Sequence, residues 1–141
     1  MHRNRMVGLV VLALLALLLA ACEGYSQTGA RTSHQQGING GTVTAGARKA
    51  NGSSTQDIEL DEGGFSGPVL EADVTLTVGK GSFKIELLGE DDQVTLTLEA
   101  RDGQTASGHG QMAVDSFGEA SYRVTATDAE DVEYRIDYTF P

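Results

Sequence analysis

The side chains with the greatest chemical reach in this chain are three histidines, one cysteine and two short runs of acids. His109 stands between Gly108 and Gly110, His34 lies in a stretch rich in Gly, Ser, Thr and Gln, and His2 belongs to a short basic N-terminal segment. A structural zinc site wants four clustered Cys or His ligands and a catalytic one usually three protein ligands, so this supply falls short. A histidine acting as general base needs a nucleophile in hydrogen-bond reach and a carboxylate behind it. Ser107 and Ser116 are the nearby hydroxyls, at no spacing diagnostic of such a relay. The chain is therefore expected not to be an enzyme and to need no cofactor, with His109 an ordinary loop histidine.

The acids suggest a different chemistry. Glu90, Asp91 and Asp92 form one group and Asp128, Glu130 and Asp131 another. Calcium takes six to eight oxygens, but no EF-hand-like spacing is present, and aspartate favours turns for reasons of its own. Sugar recognition would use an exposed aromatic platform. The chain has no Trp, and only Phe65 and Phe117 fall in expected loops. Nucleic acid is disfavoured by charge: ten basic residues face twenty acids, for a net charge of −10, whereas phosphate contacts require a basic surface.

The lone cysteine is the most informative of these residues. Met1 to Met6 carries Arg3 and Arg5, and residues 7–21 are apolar except for Gly8. A membrane-spanning helix needs about 20 apolar residues, so the run is short. A basic start, a short apolar core and small residues at its end are the parts of a secretory signal. Leu19-Ala20-Ala21-Cys22 resembles the lipobox of bacterial lipoproteins. The resemblance implies cleavage between Ala21 and Cys22, with a lipid on the Cys22 sulfur and acylation of the new amino group. One acyl chain binds a bilayer only marginally, whereas two or more give a stable anchor. The expected location is the cell membrane or outer membrane, with the body in the periplasm or outside the cell. Cys22 being the only cysteine, no thiol remains for a disulfide, a thiolate metal site or a nucleophile.

Residues 22–55 are dominated by Gly, Ser, Thr, Gln and Asn, and Tyr25, Ile38 and Val43 are the sizeable apolar side chains. Such a composition offers little surface to offset the entropy of ordering. It predicts a flexible tether whose ends lie about 30 Å apart, with "GGTVTAG" able to form at most a short edge strand. The tether holds Arg31, Arg48 and Lys49 against Glu23, while residues 56–141 hold five cations against nineteen acids.

From residue 56 onward the apolar positions recur every second residue, the period of half-buried strands. Val74, Leu76 and Val78 share one parity, as do Phe83, Ile85 and Leu87. Val94, Leu96, Leu98 and Ala100 form a third set, Ala120, Tyr122, Val124 and Ala126 a fourth, and Val132, Tyr134, Ile136, Tyr138 and Phe140 a fifth. Turns are predicted at Gly79-Lys80-Gly81, Gly89 to Asp92, Asp102-Gly103, Ser116 to Gly118 and Asp128 to Asp131. With weaker strands at 57–60 and 105–114, the pattern predicts a small antiparallel all-β sandwich of about seven strands over 56–141. Two functions follow. One is a membrane-anchored, non-catalytic envelope protein whose acidic sandwich serves protein interaction or envelope assembly. The alternative is a module binding carbohydrate or Ca2+ through loops at one end.

Overall fold

The computed structural model describes residues 24–60 and 69–141. The Ala21–Cys22 cleavage point, the lipidation site at Cys22 and Phe65 lie outside the described residues. The described chain is all-β, one antiparallel sheet of seven strands: β1 (Ser26–Thr28), β2 (Arg31–Gln36), β3 (Gly40–Glu59), β4 (Val69–Leu88), β5 (Val94–Arg101), β6 (Thr105–Ala113) and β7 (Glu119–Thr139). β7 is the spine. It pairs with β3 from Gly40↔Thr139 to Glu59↔Glu119, and on its other side with β4 from Glu71↔Thr139 to Leu87↔Tyr122.

The three long strands all break register at mid-length. The slip lies between Ala50 and Gly52 in β3 and between Lys80 and Ser82 in β4. In β7, Asp128 and Asp131 take φ of 44° and 52°. An extra residue in one strand bends it and sharpens its twist. Tyr122 and Tyr134 measure the result. They lie 12 residues apart on β7, about 40 Å along a straight strand, yet their hydroxyls are 2.9 Å apart. The sheet is folded in half across the bulges, and its two arms face each other as a sandwich.

One arm comprises β2, residues 40–50 of β3, residues 129–139 of β7, the first half of β4, and β6. The other comprises residues 52–59 of β3, residues 119–127 of β7, the second half of β4, and β5. β1 pairs with residues 49–51 at the fold itself. The bulges also reset the alternation. Leu70, Ala72, Val74, Leu76 and Val78 are buried on even positions of β4, then Phe83, Ile85 and Leu87 on odd ones. Without the extra residue the second arm would turn its apolar face to water. Each large buried side chain contributes about 1.5–3 kcal/mol by leaving water.

The fold has two distinct ends. At the bend, the β5–β6 turn hydrogen-bonds to the β4 bulge, with Gly103 N–H donating to Val78 O at 2.8 Å and Gly81 N–H to Asp102 Oδ1 at 2.8 Å. At the opposite, loop end lie residues 37–39, 89–93, 114–118 and the C-terminus.

Three expectations need correction. The segment 22–55 is not a tether over its described part: β1, β2 and most of β3 lie there, and β3 is an inner strand flanked by β7 and by β1 and β2. Its side chains are small because β7 supplies the bulk. Ala45 faces Tyr134 and Gly41 faces Tyr138 in register, and a Cβ on Gly41 would fall on the Tyr138 hydroxyl. Val43, Ala45, Ala47 and Ala50 are buried. The domain boundary at residue 56 accordingly falls inside a strand. Second, Gly79-Lys80-Gly81 and Asp128 to Asp131 are bulges within continuous strands, not hairpin turns. Third, Val94 is 39% exposed, because β5 meets β4 there beyond a register shift.

Candidate functional site

Among the described residues, the loop end carries the two most exposed large apolar side chains and one of the acidic runs. Loop 114–118 is an aspartate-built turn: Asp115 Oδ1 accepts from the backbone N–H groups of Phe117 (2.9 Å) and Glu119 (3.0 Å), and its carbonyl accepts from Gly118 N–H (3.1 Å). The short side chain thereby replaces strand pairing and holds Phe117 outward, 87% exposed. Ile38, at the β2–β3 tip, is 90% exposed on the same end. Glu90–Asp92 form a single 3-10 turn, with Asp91 and Asp92 at φ of 54° and 56°.

A cavity of about 270 Å3 lies between this turn and loop 114–118, lined by Glu90, Asp91, Asp92, Asp115 and Glu119. Burial, and then the neighbouring charges of Asp57, Asp115 and Glu59, push the Glu119 carboxyl above its ordinary value. Among the described residues these acids do not close to a coordinating group of three or more. The Asp128, Glu130 and Asp131 group is at the bend, at the other end of the molecule. The two acidic runs are therefore not brought together.

Beside the acidic cavity runs a groove of about 430 Å3 lined by Val69, Glu90, Gln93, Thr95, Gln111 and Val114. It forms where β5 and β6, on opposite arms, close on each other. Thr95 Oγ1 donates to the Gln111 carbonyl, and Leu96 fills the space over Gly110, where a Cβ would meet it at 2.7 Å.

Gln111 leads from the groove to the outer face of the β4–β6 pair, where the structure places His109. It lies on a strand, not in a loop, directly across from Asp73. Its Nδ1 meets Asp73 Oδ1 at 2.8 Å and its Nε2 meets Glu71 Oε2 at 2.7 Å, while Gln111 Nε2 donates to Glu71 Oε1 at 2.7 Å. Both ring nitrogens can donate only in the imidazolium form, so the Asp73 and then the Glu71 carboxylate raise the His109 pKa. Glu71 is lowered in turn, first by Gln111 and then by His109. With both nitrogens held, His109 has no free lone pair for the Ser107 hydroxyl. Ser116 sits on the loop beyond β6.

His34 is elsewhere, on edge strand β2, with Nε2 2.6 Å from the Tyr138 hydroxyl. The interior holds a second tyrosine group. Tyr122 and Tyr134 share a hydrogen bond, Phe83 stacks on Tyr134 at 5.8 Å, and Tyr25 enters the same recess. Burial pushes the Tyr25 phenol up to about 12 and raises Tyr122 and Tyr134 as well. On the second arm's outer face Arg123 binds Glu86 through Nε at 3.1 Å and a terminal nitrogen at 3.2 Å. Lys84 adds a contact at 3.5 Å. The partners of His109 and the tyrosine pair were not readable from sequence. Asp73 and Glu71 lie 36 and 38 residues away from His109, and only the register joins them.

No protein-family model matches the chain, and no curated protein does. Among solved structures, a chain described under "Bacillus endospore appendages form a novel family of disulfide-linked pili" is similar at 15% identity. It covers 85% of this chain and 96% of its own, with a TM-score of 0.43. A carbohydrate-binding module from Cellvibrio mixtus lichenase 5A in complex with cellotriose is 13% identical over 82% of this chain and 90% of its own, TM-score 0.37. A xylan-binding domain from Paenibacillus barcinonensis is 12% identical over 85% and 88%, TM-score 0.36.

Proposed function

We propose that this chain is a membrane-anchored envelope protein that presents a small acidic, non-catalytic β-sandwich to a basic protein partner. The anchor is the lipid on Cys22 of the mature chain, after cleavage at Ala21, and the body lies in the periplasm or outside the cell. The observation that carries the reading is the loop end, where Phe117 and Ile38 stand exposed on the same end of the fold as the cavity lined by Glu90, Asp91, Asp92, Asp115 and Glu119. An exposed aromatic in a charged surround suits a protein contact, with an anchor side chain at its centre and a polar rim. Complementary charge would speed the encounter and make it salt-dependent.

The test is capture from the organism's envelope with a soluble 24–141 fragment, compared with the same fragment carrying Phe117→Ser, Glu90→Lys and Asp92→Lys. The reading expects a basic protein retained by the first, lost from the second and released by salt. Capture indifferent to the three substitutions, or no capture, contradicts it. A second reading, carbohydrate, is favoured by the groove whose Gln93 amide and Glu90 carboxylate offer both donors and acceptors to hydroxyl groups. Titration with soluble glycans against Gln93→Ala and Glu90→Ala variants separates it from the first.

A further inference from the structure

We infer that in the anchored protein the bend end of the sandwich rests against the lipid headgroups and the loop end points away from the membrane. This deepens the membrane-anchor reading and rests on it. The first observation is how few residues after Cys22 the chain joins the sheet. Ser26 already pairs with Asn51 at the fold. Tyr25 is half-buried in a recess with Phe83, Val124, Val132 and Tyr134, and the Gly24 carbonyl lies against Gly52. Cys22 precedes Gly24 by two residues, so at most about 7 Å of extended chain separates them. A flexible tether would leave the body free to tumble, but this connection is too short. The apolar run of residues 7–21 ends immediately before Cys22, so the geometry holds equally if that run is retained as the anchor.

The second observation is independent of the first. Dividing the described residues by register, the half nearest the bend holds six cations (Arg31, Arg48, Lys49, Lys80, Lys84 and Arg101) and six acids. The loop-end half holds two cations and eleven acids. The charged pairs near the dividing line, Arg31 with Glu133 and Arg123 with Glu86, are of opposite sign and cancel on either side. All the net negative charge of the described residues is thus carried by the loop end. From Ala50 at the bend to Gly40 is a rise of about 33 Å at the usual strand spacing, roughly four Debye lengths at physiological salt. With the bend down, the acids stand outside the field of an anionic leaflet; inverted, they would be pressed into it.

The mature lipidated protein, carrying Lys49→Cys or Ser116→Cys labelled with a small fluorophore, is reconstituted into phosphatidylglycerol–phosphatidylethanolamine vesicles containing a headgroup quencher. The expected result is quenching several-fold stronger at 49 than at 116. A Gly/Ser spacer between Glu23 and Gly24, longer than a Debye length, should collapse that ratio towards one. Equal quenching without the spacer overturns the orientation, and a ratio unchanged by the spacer overturns the short-connection argument. Protein that stays in the supernatant overturns the anchor reading itself, a different failure from either.

Discussion

Gly81 and Gly103 share a φ of +74°, but their surroundings differ, and that contrast isolates the energetic contribution of the fold line. Gly103, in the β5–β6 turn, has nothing within 4 Å of an added Cβ, whereas a Cβ on Gly81 would fall on the Asp128 carbonyl of the bent β7. Alanine at either position meets the left-handed penalty of about 1–2 kcal/mol. At Gly81 it must also drive two strands apart, at about 1–3 kcal/mol more. Gly103→Ala should therefore lose about 1–2 kcal/mol and Gly81→Ala about 2–5 kcal/mol. A domain of this size has roughly 5–15 kcal/mol in total. At about 4 °C per kcal/mol, the melting temperature should fall by about 4–8 °C for Gly103→Ala and about 8–20 °C for Gly81→Ala. Urea unfolding of the 24–141 fragment, with both variants measured side by side, checks this. Equal losses at the two positions would refute the close approach of β4 and β7 at the bend.

Three further outcomes follow from the geometry. Tyr134→Phe leaves the buried Tyr122 hydroxyl without its partner across the fold and should lower stability by about 1 kcal/mol, read by the same unfolding assay. His109 should titrate above its ordinary value in an NMR pH series, and Asp73→Asn should bring it down further than Glu71→Gln, since Asp73 is the larger cause. Because its folded pKa is raised, the stabilisation from His109 is complete below the unfolded pKa and disappears as pH rises through the folded one. Glu86 behaves in the opposite sense. Its pKa is lowered, mainly by the Arg123 hydrogen bonds, so its contribution is present above the unfolded carboxylate pKa and lost as pH falls through the folded value. Glu86→Gln should flatten that acid limb of the stability profile.

The strand alternation of residues 73–78, 83–87, 95–101, 120–126 and 132–138 was legible in the sequence because aliphatic and aromatic residues there face the core, alternating with mostly polar residues on the outer face. The all-β class followed from it. What escaped was pairing. The same glycine and aspartate chemistry that makes a hairpin turn also makes a bulge, and local sequence does not say whether the chain reverses or merely bends at Lys80. The seven strands expected and the seven present are accordingly different sets. Two expected pairs fuse into β4 and β7, and two new strands arise before residue 40. β3 was illegible for a related reason: its core positions are alanine, with Val43 the main exception towards its N-terminal end. Their burial is arranged by tyrosines some ninety residues further on. The loop-end acids and Phe117 were visible as types. Their convergence on one end, and the separation of Asp128 and Asp131 to the other, required the fold.

The central claim is that β3 is an inner strand of a sheet folded in half, not part of a tether. Hydrogen exchange on the 24–141 fragment, resolved by peptide, tests it most directly. The amides of residues 43–46, which pair with β7 on one side and β2 on the other, and of residues 49–50, which pair with β7 and β1, should exchange as slowly as those of β7 itself. Exchange there at the rate of an unstructured chain, with residues 56–141 still protected, would contradict the account.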